Sequence, residues 1–466
     1  MKRLKDFVPE KIGIYGGLWL AAPVLIWFSY WPNLHFGQDG TMNFEISLTL
    51  ALLVLLGLAS LPSVFRNWRQ LAKSRWVWAV VALVAFTCLT VLWSVNPLRS
   101  LLTAGIAGLL GLVAIGAVAE RKKITKLLPK IVNIYLWSAV VMSVLALVQF
   151  IAGIWLPQPV TLLCDGCVAA QFGFARPNVF AIEPQFFGNM LLPAILIVSR
   201  RILSGREKWR VFDWYDGFVL MLLALMLTMS RGSIYALIIG LVVLVVVYRK
   251  QLKNIAILAG LSLVTLVASL GAQGMASVLN PTISETFIGA VGKSINQLTL
   301  GIVDITTVDT KPAAENPAPT EDVDKQQPVF DGYVEESTSA RTSRSSIALD
   351  AWSQSPARMI FGSGIGGAGV AMHKVNPDQL GAREIVQNEF IERLLERGIV
   401  GLAFSLLAVG YLIYLTRHQK WLWSIIVALL FQLCFFSGYP NALHIYLAFI
   451  LMSVIGLSTK RKSTPI

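Results

Sequence analysis

Runs of apolar residues long enough to cross a bilayer, about 20 residues each, recur along the whole chain. They read as twelve segments: roughly 12–31, 44–62, 76–94, 100–119, 131–153, 186–199, 214–230, 233–248, 255–273, 397–416, 421–437 and 441–458. Inside a bilayer no water satisfies backbone N–H and C=O groups, so such runs are read as helices. The expected fold is an all-α integral membrane protein with about twelve transmembrane helices. Composition agrees: 55% of the 466 residues are hydrophobic and 14% charged, against about 25% charged in a soluble domain. The first apolar stretch, from Ile12, is long and no A-x-A-like site follows it, so it reads as a span rather than a cleaved leader.

A formal net charge of +13 invites a nucleic-acid reading, which the position of the charge argues against. Every second connection is basic: MKRLKDFVPEK, FRNWRQLAKSR, RKKITKLLPK, RRILSGREKWR, YRKQLKN, TRHQK and TKRKS. These seven hold 26 of the 39 Lys and Arg. Cytoplasmic loops collect Lys and Arg, so both termini are expected inside, and the basic loops orient the chain and meet anionic lipid. By this parity SRGS, at 230–233, is a tight outer turn and Arg231 faces the cell exterior.

The chain divides into helices one to nine (1–273), an extracytoplasmic loop (274–396) and helices ten to twelve (397–466). Within the loop, 303–340 is rich in Pro, Thr, Asp and Glu and poor in apolar residues, which predicts a disordered insertion. SRSSIALDAWSQ reads as a short amphipathic helix, FGSGIGGAG as a turn, and REIVQNEFIERLLERGIVG as a helix running into span ten. A paired-repeat transporter shows matched broken helices in two halves; here the loops are lopsided.

Gly362, Gly364 and Gly367 have G-x-G-x-x-G spacing, but dinucleotide binding requires a preceding strand and a following acidic residue. A tight turn is the expectation, whose backbone would allow a glycan or phosphate close. Cys164 and Cys167 form CDGC in an outer loop, where a disulfide is favoured over free thiols or a metal; no second Cys or His pair completes a zinc site. Glu389, Arg393 and Arg397, spaced i, i+4, i+8, read as an ion-paired helix face contributing about 0.3–0.5 kcal/mol per pair. His373 lies in a polar loop segment, AMHKVNPD, either solvated or a base.

A charge near membrane level usually has a partner. Arg231 either snorkels to the interface or binds an anion. Arg176, in FARPNVFAIEP, and Arg344, in RTSRSSIALDAW, complete a set of outer arginines near span entrances. The guanidinium fork suits phosphate oxygens bidentately, so arginines meeting at the outer face would clamp a pyrophosphate. Glu183, beside them, either orients Arg176 or acts as a catalytic carboxylate.

SRGS at an outer turn, then a long outer loop, then P-x-x-x-x-F-G-S-G-I-G-G from Pro356, then QNEFIERLLERGIVG entering a helix, resembles the O-antigen ligase and O-antigen polymerase family. FARPNVFAIEPQFFGNMLL resembles the R…EP segment of polymerase-like members. The resemblance implies a metal-independent membrane glycosyltransferase of the GT-C type, without cofactor, at the outer face of the bacterial inner membrane. The donor would be a glycan on undecaprenyl pyrophosphate, the acceptor a glycan or lipid. Arg231 matches the S-R-G arginine and Arg344 the arginine before the A-W helix. Ligases usually carry H-N-x-[YF]-L before the last loop helix; this chain has Gln387, Asn388, Glu389 and Phe390 there. Gln387 and Asn388 can bond a sugar, but Gln387 takes no proton at neutral pH. The base is therefore sought at His373, Glu389 or Glu183. The alternative reading, a transporter or flippase of lipid-linked sugars, requires ionisable residues lining the spans, whose middles hold almost none.

Overall fold

The computed structural model describes residues 13–29, 32–36, 44–156, 174, 176–181, 183–205, 214–280, 286–300, 302–303, 333–378, 380–382 and 384–459. Cys164, Cys167 and most of the 303–340 insertion lie outside these residues. Among them the chain is nearly all helical, with one short antiparallel hairpin, β1 (Asn33–Phe36) and β2 (Phe44–Ser47). Seven helices are long and apolar enough to cross a membrane, and five shorter apolar helices accompany them. Each expected span coincides with one of these helices.

Two compact units are present. The first comprises Met1–Ser138, Arg344–Ile426 and Leu433–Ile466. Its N-terminal helices are α1 (Ile14–Leu25), α2 (Leu48–Arg66), the short α3 (Trp68–Leu71), α4 (Arg75–Leu89) and α5 (Pro97–Ala119), followed by the first half of α6 (Arg121–Trp155). Small residues let α2 lie close on α5: a Cβ on Gly116 would sit 2.3 Å from that of Ser60. This is the packing used where apolar surroundings give helices no hydrophobic drive to associate. The core around Trp19, Leu53, Leu56, Val113 and Ala117 joins these helices to the last one of the chain.

The second unit comprises Ala139–Ser343 and Val427–Gln432. It holds α7 (Pro184–Ser204), α8 (Trp214–Leu227), α9 (Arg231–Val247), α10 (Leu252–Leu279) and α11 (Phe287–Leu298). α7 is buried along almost its whole length, its polar Gln185, Asn189 and Ser199 included. Pro184 opens it and Gly205, left-handed at φ 63°, ends it.

α12 (Tyr333–Ser353) begins inside the segment expected to be disordered. α13 (Pro356–Phe361), α14 (Ala368–Val375), α15 (Glu389–Leu415), α16 (Leu422–Gln432) and α17 (Leu443–Thr459) complete the chain. α15 is two helices: Gly398 has φ 63° and breaks it where the loop helix was expected to enter span ten.

Candidate functional site

In the second unit, α8 and α9 are joined by a turn the backbone adopts under strain. Met229 is left-handed at φ 49°, a conformation that costs a non-glycine residue roughly 1–2 kcal/mol. The Thr228 hydroxyl bonds back to Leu225 O at 2.6 Å and receives Ser230 N at 3.2 Å. Gln273 of α10 donates to Met226 O at 3.4 Å. Arg231 is the first residue of α9 and is buried.

Arg176 joins this turn, its Nε donating to Thr228 O at 2.8 Å. The segment after Arg176 is pinned by Gln149, whose Oε1 accepts from Asn178 N and Val179 N at 3.2 and 2.8 Å. Val179 is itself left-handed, φ 52°. Ser233, one turn inside the bundle's polar lining, contacts Ser230 Oγ, Gln185 O and Asn189 Oδ1 at 3.0, 3.3 and 3.4 Å. Gly188 admits that serine: a Cβ there would meet Ser233 Oγ at 2.5 Å. Arg341 reaches Gln185 Oε1 at 3.5 Å. The structure thus brings Arg176 to the Arg231 turn and surrounds them with Gln185, Asn189, Ser233 and Arg341. None of those four was singled out from sequence. Arg341 carries the most legible signal, since it stands in the same RTSR stretch as Arg344. Glu183 precedes α7 with an exposed side chain, and its carbonyl receives Phe186 N at 3.1 Å.

Arg344 belongs to the first unit, where it pairs with Glu384 at 3.1 Å. His373 is on α14, with Nδ1 2.6 Å from Leu380 O. A backbone carbonyl can only accept, so Nδ1 is the donor in this contact and Nε2 is not used in it. Gly369, one turn earlier, lets the returning loop lie flat on α14; a Cβ there would be 2.5 Å from Ala382 O. Gln387 is left-handed at φ 61°. Asn388 caps α15, its Oδ1 accepting from Phe390 N and Ile391 N at 3.0 and 3.2 Å.

Glu389 is 2% exposed. Its Oε1 accepts from Arg393 Nε at 2.6 Å and Tyr446 OH at 3.1 Å; its Oε2 accepts from Gly438 N at 2.8 Å and Tyr439 N at 3.0 Å. A carboxylate offers about four lone-pair sites, and all are engaged. Along the i, i+4, i+8 face Glu389 and Arg393 form the expected ion pair. Glu389 and Arg397 are buried and Arg393 half-buried, and Arg397 lies over the Tyr439 ring, 5.4 Å from its centre. Sequence spacing gives the pairing along one helix and is silent on what packs over it.

The glycine-rich turn supports the same helix. Gly362, Gly364 and Gly366 have φ of 77°, 92° and 73°. A Cβ on Gly362 would stand 2.2 Å from the Glu396 carbonyl carbon, and one on Gly364 2.4 Å from Ser94 Cα. Its amides bond inward: Ser363 N to Leu395 O at 2.9 Å, Gly364 N to Glu396 O at 2.8 Å, Ile365 N to Thr90 Oγ1 at 3.1 Å, Gly366 N to Glu396 Oε1 at 2.7 Å. These donors hold protein, where the sequence had left room for a glycan or phosphate.

No curated protein matches the chain. Residues 217–406 match the family model Wzy_C, described as O-antigen ligase. The matched stretch contains Arg231, Arg341, Arg344, the glycine turn, His373 and Gln387–Glu389, and leaves out Arg176 and Glu183. Over residues 217–406, with apolar helices in these positions and SRGS at the head of α9, the chain is similar to the O-antigen ligase family.

Proposed function

We propose that the chain is an outer-face membrane glycosyltransferase that joins glycans carried on undecaprenyl pyrophosphate, either to one another or to a terminal acceptor. The observation that carries this reading is the meeting of Arg176 with the turn that presents Arg231, through Thr228 O. One arginine tied to the turn that carries a second suits the oxygens of a pyrophosphate, and α9 adds the positive end of its dipole at that turn. The family match supports membrane glycan processing in general terms.

In the reaction, an acceptor hydroxyl oxygen attacks the anomeric carbon of the donor glycan. The new C–O bond forms as the bond to the pyrophosphate oxygen breaks, and that oxygen leaves with the electron pair. Arg176 and Arg231 take the developing charge. The hydroxyl proton passes to a general base, for which His373 is the candidate, its Nε2 not being used in the Leu380 contact. Arg344, paired with Glu384, and Gln387 are the candidate sugar-binding side chains of the first unit; Asn388 sets the start of α15 beside Gln387. Glu389 anchors that helix rather than serving as base, because its oxygens are fully engaged.

Surface-glycan profiling of a deletion strain, with lipid-linked intermediates extracted alongside, tests the reading. Single repeats on the carrier with long chains missing identify a polymerase. Long chains stranded on the carrier identify a ligase. Unchanged profiles in both fractions refute the proposal.

A further inference from the structure

α11 carries its side chains the wrong way round for water. Its buried stripe is small and polar: Ala290, Ser294 and Gln297, at i, i+4 and i+7. Phe287 and Val291 close over Gly274 of α10, where a Cβ would come 2.7 Å from the Phe287 ring. Next around the helix, Ile288 is 70% exposed and Ile295 half-buried. Beyond its end Leu300, Ile302 and Val303 are exposed as well, Ile302 by 84%. A helix bordering water has the reverse arrangement, whereas one bordering lipid shows its apolar side outward.

The end of this stripe is tied to the arginine turn. Tyr235, one turn after Arg231 on α9, donates its hydroxyl to Leu298 O at 2.6 Å. Leu298 packs on the core containing Phe174 and Met229, each two residues before one of the two arginines. An apolar stripe of roughly 18 Å, the length of a twelve-residue helix, therefore runs out from two guanidiniums.

We propose that α11 with Leu300, Ile302 and Val303 docks the isoprenoid chain of a polyprenyl lipid whose phosphate headgroup sits on Arg176 and Arg231. This rests on the reading of those arginines as pyrophosphate ligands. The surface suits one molecule, with an anionic head beside the cations and a long branched apolar tail along the stripe. Bulk acyl chains would cover the exposed faces of α10 equally well.

The test places photoreactive benzoylphenylalanine at Ile288 in the full-length protein, in phospholipid nanodiscs doped with glycan-free undecaprenyl pyrophosphate. Val264, 65% exposed on α10, carries the same probe as control. Polyprenyl adducts several-fold more abundant at 288 than at 264, and reduced several-fold by Arg231→Ala, are expected. Phospholipid adducts alone, equal polyprenyl adducts at both positions, or an adduct indifferent to Arg231→Ala overturn the proposal. Ile302 takes the probe if the 288 variant fails to insert. Failure of the enzymatic reading looks different: Arg231→Ala would then keep full transferase activity, whatever the adduct at 288 shows.

Discussion

At Thr228–Arg231 the chain breaks two local rules together. Met229 is left-handed without being glycine, and a cation occupies the first position of α9, against the helix dipole. Such violations concentrate where function holds them in place. Met229, Val179 and Gln387, three of the four left-handed non-glycine residues among those described, stand within three positions of Arg231, Arg176 and Asn388. Arg231→Ala is expected to lower glycan transfer by about 10²–10³-fold, the usual loss for one charge-stabilising donor, with normal insertion. Arg231→Lys should also fall, because a point charge does not fork onto two oxygens; wild-type output from either variant would refute the clamp. Glu389 and His373 separate by a different readout. Glu389→Ala removes one member of a buried ion pair, expected to cost about 3–5 kcal/mol and to show as a lower Tm in detergent. His373→Gln should leave Tm unchanged and cut the rate by about 10²–10⁴-fold. A Glu389→Gln protein with native Tm and no activity would return the base to Glu389. The sequence marked both residues as titratable groups of one loop; it did not show that Glu389 is bonded by Gly438, Tyr439 and Tyr446, while His373 meets Leu380 seven residues on.

At the scale of elements, α15 shows how two substitutions of one kind differ. Gly398 is left-handed, and a Cβ there would be 2.1 Å from Ile360 O. Gly398→Ala is therefore expected to lose most folded protein, by clash with backbone that cannot step aside and by the strain of a φ 63°, ψ −170° backbone that is essentially glycine-only. Gly410 lies on the same helix with nothing within 4 Å of its Cβ position. Gly410→Ala should be neutral or stabilising by about 0.5–1 kcal/mol, since alanine has less conformational entropy to lose. Thermal melts of the two variants check this, and equal melts would contradict the packing of α13 on the break. The existence and rough place of such helices were legible because hydropathy, proline and glycine act locally; their ends were not, since α6 and α12 each begin ten residues before the segment expected. The hairpin at 33–47 was not, because four-residue strands leave little periodic signal between apolar runs.

For the whole molecule, alternation of basic and poor connections predicts orientation. In a cysteine-free background, Ser353→Cys is expected to react with a membrane-impermeant maleimide in whole cells, and Lys73→Cys only after lysis. Reversed labelling would invert the assigned face. Sequence by itself determined that this is a many-helix membrane protein, where its helices fall and which arginines to consider, because hydropathy and charge are properties of neighbouring residues. Tertiary structure alone decided that Arg176 meets the Arg231 turn across 52 positions. It likewise decided that Glu389 is saturated by amides 49 and 50 residues away, and that the glycine turn spends its amides on its own chain. Each of those outcomes depends on which buried donor finds which acceptor, and that choice is made only when the helices pack.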